Sequence, residues 1–440
     1  MLTKNGGPIT FLRFGISRKK EFLKDARKSY DGLVLPANIL LYQHKSTPSV
    51  IFMCDRPFFV DPMSYLFGQP FVSFKKKVEK QNPKFKPSFH KLMEGHGLVP
   101  EKFLQSDYPE LLQFLLYSQE NLYRFIDNTL NFQDNHVWRV IKEAQTLISE
   151  ELDERNFRPS FLIPPYFLYT PEKGKNYSIT TELNKKTLEY CSKTVRNKDI
   201  YPMVFITKEQ LESPFLNDVI NIVTKNKYPG YVVWIEDFDE RFATKEQIKG
   251  LISLTYKLSS DGQQIVMLYG GFFSLLLYYF GMTCVCHGLA YGEARTISAS
   301  AQENSGPAPV RYYLKDLHSF LTLENALIVL RKRPDLICSC PVCQRVMRDN
   351  PENVTRFQNE ETLAEMHFLY NRYQERKMIA NSTLPDVIEH LEWILELNNH
   401  IKDITKKYKT YLGLEDRAII DPAYINNWKE ALEESNHLLT

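Results

Sequence analysis

The sequence has no long apolar run, and this absence limits the classes of protein to which it can belong. Its most apolar stretch, residues 272–282, falls well short of the roughly 18 residues that a membrane-spanning helix needs. The N-terminal stretch also lacks the charged head, apolar centre and small-residue cleavage site of a secretory signal. We therefore expect a cytoplasmic protein that has no membrane partner.

A disulfide framework and an excess of one charge are missing as well. The seven cysteines are odd in number, with three clustered and four scattered at positions 54, 191, 284 and 286, which does not fit paired bridges. Lysine and arginine total 55 against 53 acidic residues, which leaves a formal net charge of +2. Any nucleic-acid surface must therefore be local.

Short apolar runs alternate with helical patterns along most of the 440 residues. Such alternation predicts a parallel sheet that is buried on both faces. The predicted strands lie at residues 9–14, 33–41, 49–54, 160–163, 201–206, 231–235, 264–268 and 282–286. Their number suits a closed (β/α)8 TIM-like barrel. The alternative is a doubly wound open sheet, but Gly6-Gly7 precedes the first strand, whereas the Gly-rich turn of such a fold follows it.

Two regions depart from this alternation. Residues 68–158 carry long helical patterns at 109–128 and 137–153, which predict a helical insertion in the barrel. Near the C-terminus, helical patterns at 386–407 and 422–438 are expected to pack outside the barrel. We thus predict a barrel with its insertion at 1–335, a zinc-binding segment at 336–375 and C-terminal helices at 376–440.

A cysteine cluster follows the predicted barrel. It reads Cys338-Ser-Cys340-Pro-Val-Cys343, and the next histidine, His367, comes after 23 intervening residues. Thiolates so close together can reach one tetrahedral centre if the chain turns tightly, and a predicted helix at 362–375 would supply His367. Four such ligands with no open position are typical of a structural zinc site. The alternatives are three incidental cysteines, or an iron–sulfur cluster, which would want a fourth nearby cysteine.

The Cys-x-Cys-x-x-Cys run followed by a helix-borne histidine resembles the zinc motif of the tRNA-guanine transglycosylases and their DNA-acting relatives. The resemblance covers roughly residues 10–375 and implies a divergent member of that superfamily. It implies a (β/α)8 barrel with structural zinc that exchanges a guanine in nucleic acid for a 7-deazaguanine-type base. DNA is slightly favoured over tRNA, because the strand motifs diverge from those of the tRNA enzymes.

The resemblance also assigns site residues at the ends of predicted strands. Asp61, in Phe59-Val-Asp-Pro-Met-Ser64, matches an aspartate near the glycosidic bond, and Asp237 is its proposed partner in the chemistry. The family's nucleophilic aspartate is replaced by Cys286-His287-Gly288, so Glu293 is the candidate substitute. At the end of the fourth strand this chain has Pro164-Pro165-Tyr166 in place of a guanine-reading aspartate. The predicted base-binding residues are Glu236, Asp239, Gly270, Gly271, His287 and Tyr313.

Several of these residues have a structural alternative. Asp61 before a proline can be a helix N-cap, and the acidic run 236–240 can cap the helix that begins near Thr244. His287 is as readily explained as a hydrogen-bonded interior residue. Tyr313 can belong to a core strand.

Basic residues predict a local nucleic-acid surface. Lys75, Lys76 and Lys77 begin a stretch in which lysines are interleaved with Phe74, Phe85 and Phe89. Lysine side chains can bind the phosphates of a nucleic acid, and unstacked bases can stack on aromatic rings. Arg331 and Arg333 precede the zinc motif and are further candidates. A solvated basic face of the insertion is the alternative.

The function predicted from these observations is base exchange in nucleic acid. The missing aspartate at the end of the last strand motivates one alternative, a nucleic-acid-binding barrel subunit without catalysis. A glycosylase that removes the base and lets water complete the reaction is another. The expected partners are DNA or tRNA and the incoming base, in a homodimer or a hetero-oligomer.

Overall fold

The fold is described from a computed structural model, which covers residues 6–13, 15, 20–76, 84–145, 152–171, 177–289, 293, 295–297, 309–411 and 423–439. Its central element is a curled sheet of seven parallel strands. In chain order these are β1 (Ile9–Arg13), β2 (Gly32–Pro36), β3 (Phe58–Asp61), β4 (Met203–Thr207), β5 (Gly230–Glu236), β6 (Gln264–Met267) and β7 (Met282–His287). Their spatial order is β3-β2-β1-β7-β6-β5-β4.

Helices cover the sheet and extend beyond it. Those up to the end of the sheet are α1 (Lys20–Asp25), α2 (Ala37–Tyr42), α3 (Ser46–Cys54), α4 (Pro87–Gly95), α5 (Tyr108–Leu116), α6 (Gln119–Gln145), α7 (Tyr177–Lys193), α8 (Phe215–Thr224), α9 (Lys245–Ser259) and α10 (Phe272–Leu276). After the sheet come an antiparallel hairpin of β8 (Arg311–Leu314) and β9 (Ser319–Thr322), then α11 (Leu323–Lys332), α12 (Pro341–Val346), α13 (Glu361–Ala380), α14 (Leu384–Tyr411) and α15 (Ala423–Ser435).

The strands form where apolar residues run without interruption. In β5, Val232, Val233 and Trp234 are all fully buried, so neighbouring residues on opposite faces are both covered. Burial on two faces is the reason that the strands of a parallel sheet read as continuous apolar runs. The predicted α/β class and the parallel sheet are therefore confirmed.

The segment 160–163 lies between the two edge strands of the sheet. The Ser160 N–H donates to the Phe58 carbonyl of β3 at 2.8 Å. On its other side, Leu162 forms a parallel bridge with Ile200, just before β4. The Leu162 N–H donates to the backbone carbonyl of Asp199, and the Leu162 carbonyl accepts from the Tyr201 N–H, both at 2.9 Å. The segment therefore contacts both edges of the sheet.

The insertion between β3 and the segment 160–163 contains α4, α5 and α6, as its helical patterns indicate. The helix predicted at 109–128 is broken, because α5 ends at Leu116 and α6 begins at Gln119. At the C-terminus, α15 packs on α9 through ion pairs of Lys245 with Glu430 at 2.9 Å and Glu434 at 2.8 Å. None of the helices in the described ranges combines the length and apolar character needed to cross a membrane.

Near the N-terminus one strand prediction was wrong and another was too long. Residues 49–54 belong to the helix α3, in which Val50, Ile51 and Cys54 are buried while Phe52 is 42% exposed. This spacing marks one face of a helix, and a short apolar run does not by itself separate helix from strand. The strand predicted at 33–41 ends at Pro36, after which α2 begins.

The buried carboxylate of Glu240 joins the loop after β5 to the turn after β6. Its oxygens accept hydrogen bonds from the backbone N–H groups of Gly271, Phe273 and Ser274, each at 2.9 Å, and from the Ser274 hydroxyl. The indole N–H of Trp428, on α15, donates to the Glu240 carbonyl at 2.9 Å. One residue thus holds two strand-end loops and the C-terminal helix together.

Replacement of Glu240 by alanine is expected to lower the free energy of unfolding by about 3 kcal/mol or more, because each buried N–H left without a partner costs ~1–3 kcal/mol. Urea unfolding followed by circular dichroism measures the loss. Glu246→Ala is the matched control, since its side chain is 60% exposed and its removal should cost less than ~1 kcal/mol. Equal losses in the two variants would contradict this account of Glu240.

Candidate metal centre and strand-end site

Cys338, Cys340, Cys343 and His367 come together as the sequence motif predicts. Their ligand atoms all lie within 4.8 Å of one another. The four residues are buried, with at most 4% of any of them exposed. Such a group can hold a metal ion, and its sulfur and nitrogen atoms are the ligands that zinc favours.

The chain around the cysteines turns tightly where Pro341 begins α12. The sulfur of Cys340, at the N-cap of α12, accepts a hydrogen bond from the Cys343 N–H at 3.3 Å. The sulfur of Cys338 likewise accepts from the Cys340 N–H at 3.4 Å. Backbone N–H groups directed at the sulfurs favour thiolates, the form that binds a metal.

Neighbouring residues fix the orientation of the His367 ring. Its Nε2–H donates to the Tyr313 carbonyl at 2.7 Å, so Nδ1 carries the lone pair. This Nδ1 lies 3.3 Å from the sulfurs of both Cys340 and Cys343. The Tyr312 ring stacks on the imidazole with 4.6 Å between centroids. A second hydrogen bond that sets the tautomer is a usual feature of metal-ligating histidines.

Asp61, the last residue of β3, is fully buried at the ends of the strands. Its Oδ1 accepts from the Met63 N–H at 3.1 Å and from the Tyr166 hydroxyl at 2.7 Å. Its Oδ2 has no hydrogen-bond partner among the described residues. The alternative role as an α-helix N-cap is not realised, because only a 3-10 turn, Ser64–Gly68, follows, and it begins after Met63.

Arg13 ends β1 beside Asp61. Its Nη2 is 3.6 Å from Asp61 Oδ2, and its guanidinium lies over the Tyr269 ring, 4.2 Å from the centroid. Within the described part of the chain, neither Nη1 nor Nη2 has a hydrogen-bond partner. Arg295 donates from Nη1 to the Tyr269 hydroxyl at 3.1 Å. Burial raises the pKa of Tyr269 although the two arginines oppose it, so the hydroxyl stays protonated.

A second buried arginine, Arg372 on α13, is 1% exposed and pairs with two carboxylates. These are Glu293, in the chain after β7, and Glu375, at 2.9 Å. Glu375 also accepts from the Tyr313 hydroxyl at 2.5 Å and lies 2.6 Å from His318 Nδ1. Burial alone would raise the pKa of Glu375, but Arg372 and His318 hold it below its usual value.

The pKa of Glu293 is raised, whereas that of Glu375 is lowered. Burial raises its pKa to about 7, against the attraction of Arg372 and with added repulsion from Glu240. About a fifth of its side chain, 19%, is exposed, so solvent can reach it. Glu293 can therefore take up and release a proton near neutral pH.

The turn after β6 lies between Asp61 and Glu293. Tyr269 contacts Arg13, while a Cβ on Gly271 would lie 2.7 Å from Glu240 Oε2 and 3.2 Å from Glu293 Oε2. A Cβ on Gly270 would lie 2.5 Å from the Ser274 hydroxyl. Close packing therefore favours glycine at both of these positions, for which base binding is predicted.

The acidic run after β5 does not converge on one site. Glu236 is half-buried and accepts from the Ile297 N–H at 3.2 Å, and burial raises its pKa. Asp237 is 53% exposed and pairs with Lys208 at 2.7 Å. Asp239 pairs with Arg241 at 2.7 Å.

The capping role suggested for the acidic run was assigned to the wrong residues. Thr244 caps α9, accepting from the Gln247 N–H at 3.1 Å in a capping box with Gln247. The acidic residue that binds backbone N–H groups is Glu240, and it binds those that follow β6.

His287 and Tyr313 lie in the interior. The Nδ1–H of His287 donates to the Gly288 carbonyl at 2.8 Å, and burial together with Arg372 lowers its pKa to about 4. His287 is therefore neutral, and its Nε2 has no partner among the described residues. Tyr313 lies in β8, outside the parallel sheet, and its hydroxyl binds Glu375.

The predicted basic surface is only partly supported. Phe74, Phe85 and Phe89 are at most 5% exposed and pack on one another, so they offer no face to a base. Lys75 donates to the Ser106 carbonyl at 3.3 Å, and Lys76 is exposed. Lys77 lies outside the described residues.

The arginines predicted to bind nucleic acid have acidic neighbours. Arg331 pairs with Glu352 at 2.5 Å, and Arg333 pairs with Asp335 at 2.6 Å. Each charge is thus already matched, which weakens the attraction of a phosphate.

Arg13, Glu240, Arg372 and Glu375 were missed as site residues. A charged residue at the end of a buried strand is a usable signal, and it would have found Arg13. For Arg372 and Glu375 the signal is weak, because charged residues are common on helices.

Comparison with models of protein families, with curated proteins and with solved structures finds no match to this chain. The resemblance to transglycosylases therefore rests on the motifs within the sequence itself.

The raised pKa of Glu293 makes stability depend on pH. The fold favours the protonated form, so this contribution is present below the usual value of 4.5 and is lost as the pH rises through about 7. Glu293→Gln, which mimics the protonated form, should gain in melting temperature relative to the wild type between pH 5 and pH 8. The exposed Glu396→Gln is the control and should show no such trend. A difference between Glu293→Gln and the wild type that does not change with pH would contradict the assignment.

Proposed function

We propose that this chain exchanges a guanine in nucleic acid, with DNA favoured, for a 7-deazaguanine-type base. The observation that carries the proposal is Asp61, a buried carboxylate at the end of a parallel strand, whose Oδ2 faces the Arg13 guanidinium at 3.6 Å and has no hydrogen bond among the described residues. Active sites of parallel α/β barrels lie at this end of the strands. The cysteine–histidine group supports the same reading, because it matches the motif of the transglycosylases.

We also propose that the sheet closes as a (β/α)8 barrel. The parallel sheet has seven strands in the described part of the chain, and the segment 160–163 contacts β3 on one side and residues 199–201 on the other. With this segment as the eighth strand, every strand has two neighbours, as a closed barrel requires.

The chemistry needs a carboxylate near the sugar and a group that carries protons. Cleavage of the C1′–N9 bond passes through an oxocarbenium-like state, which the Asp61 carboxylate stabilises. The bonding electrons leave with guanine, which takes a proton from Glu293. The incoming base returns a proton to Glu293 and forms the new bond to C1′. The pKa of Glu293, about 7, suits both transfers. Asp237, paired with Lys208, lies at the rim.

We assign the metal as zinc in a structural role. Four protein ligands leave no position for water or substrate, so the ion would contribute to folding and not to the reaction. His367 lies on α13, as Arg372 does, so a bound metal would also fix the helix that contacts Glu293.

Purified protein is expected to contain about one zinc per chain by metal analysis. Cys340→Ser should reduce zinc towards zero and lower the melting temperature, because metal binding contributes folding free energy. Cys191→Ser changes a buried cysteine outside the cluster and should keep its zinc. Wild-type protein without zinc, or Cys340→Ser with full zinc, would show that the site is misassigned.

Incubation with labelled 7-deazaguanine-type base and DNA or tRNA should give label in the polymer. Asp61→Asn keeps the size of the side chain but removes its charge, so incorporation should fall by roughly 100-fold or more at similar melting temperature. Asp55→Asn makes the same change at an exposed position and should remain active.

Other results of the incorporation experiment would contradict parts of the proposal. Full activity of Asp61→Asn would overturn the residue assignment. Abasic sites without added base would indicate a glycosylase. Binding of nucleic acid without incorporation of any base would favour a binding subunit and contradict the exchange proposal.

A further inference from the structure

We propose that a groove between α2 and α4 binds an apolar molecule with one anionic end, of the class of the long-chain carboxylates. Its anionic end lies between Lys76 and Lys84, and its apolar body lies along the wall of the groove. The residues that line the groove do not belong to the strand-end site, so this binding is independent of the proposed function.

The first support is the groove itself, which has a volume of about 700 Å³. Small-molecule sites in proteins commonly enclose about 300–1,000 Å³ and are lined mostly by apolar side chains. The helices α2 and α4 pack closely, because a Cβ on Gly95 of α4 would lie 2.4 Å from Leu41 Cδ1 of α2. The apolar lining consists of Leu41, Tyr42, Phe85, Pro87, Pro100 and Leu104.

The second support is a pair of lysines that the backbone holds opposite each other. Lys75 and Phe85 form an antiparallel bridge, and the Lys76 N–H donates to the Lys84 carbonyl at 2.8 Å. Residues opposite each other in an antiparallel pair project their side chains to the same side, where like charges repel. Lys76 and Lys84 both line the groove and both are exposed. An anion between them would replace this repulsion by attraction.

The third support is the lack of a protein anion for these two lysines. Neither of them forms an ion pair within the described part of the chain. Glu101, the acidic residue among the described residues that line the groove, lies 3.3 Å from His90 Nε2. The third lysine of the lining, Lys91, pairs with Glu94 at 2.7 Å. The groove therefore combines an apolar wall with positive charge that its own residues leave unmatched.

This combination matches one class of small molecule. The apolar wall requires an apolar body, and the two lysines require a negative charge at one end of it. A long-chain carboxylate has both features. A nucleotide would instead place a polar sugar and the polar edge of its base against the wall, and polar groups that lose water without gaining hydrogen bonds weaken binding.

Equilibrium dialysis of the full chain with labelled ligands tests the inference. The wild type should bind decanoate at least ~5-fold more tightly than 1-decanol at low salt, because the alcohol lacks the charge that the lysines attract. This difference should shrink at high salt, which screens exposed charges. Decanoate should also bind at least ~10-fold more tightly than hexanoate, because each additional buried CH₂ group favours binding.

The double variant Lys76→Gln/Lys84→Gln should bind decanoate about 10-fold more weakly, because it loses two exposed charge interactions, and should bind 1-decanol as the wild type does. Its melting temperature should stay close to that of the wild type, since both side chains are exposed. Lys225→Gln alters an exposed lysine at the C-cap of α8 and should bind decanoate like the wild type.

Four results would overturn the inference. They are no saturable binding of decanoate, equal binding of decanoate and 1-decanol, equal binding of decanoate and hexanoate, and full affinity for decanoate in the double variant. A nucleoside monophosphate that binds the groove as tightly as decanoate would also contradict the assigned ligand class.

Discussion

The charge network between the chain after β7 and α13 depends on the burial of one guanidinium, that of Arg372. Arginine keeps its charge inside a protein, so a fold that buries it must supply carboxylates. Here Glu375, one helical turn beyond Arg372, supplies the ionised carboxylate. Glu293, which follows the last strand of the sheet, accepts a hydrogen bond from Arg372 and so joins the chain after β7 to α13.

The same helix links this charge network to the cysteine cluster. His367 and Arg372 are both on α13. Tyr313 connects them, because its carbonyl accepts from His367 and its hydroxyl donates to Glu375, which pairs with Arg372. A metal at the cluster would fix α13, and α13 fixes Arg372. Because Arg372 and His318 both act on Glu375, that carboxylate stays ionised, whereas the more accessible Glu293 holds a proton up to about neutral pH. Two carboxylates on one arginine thus have pKa values shifted in opposite directions.

The sequence predicted the strands and the ligand cluster that depend on residues close together in the chain. The strands β4 to β7 were located within a few residues, because their apolar runs are uninterrupted. The cysteine cluster was predicted for the same reason, since three of its ligands lie within six residues. The strand prediction at 49–54 was wrong because the apolar residues Val50, Ile51 and Cys54 fit either one face of a helix or a strand.

What the sequence did not predict depends on contacts between distant residues. Arg372 and Glu293 are 79 positions apart, and Asp61 and Tyr166 are 105 apart, so no local spacing signals either pair. The acidic run after β5 showed that carboxylates were present but not that Glu240 turns inward while Asp237 pairs with Lys208. Likewise, the phenylalanines among the lysines of the insertion pack on one another in its core, which their local spacing did not indicate.

The central claim is the proposal that Asp61, at the ends of the strands, acts on the glycosidic bond of a guanine-type base. A crystal structure of the chain with a bound 7-deazaguanine-type base tests this most directly. The account predicts the base beside Asp61 at the strand ends, and zinc bound by Cys338, Cys340, Cys343 and His367. A base bound away from Asp61 would contradict it.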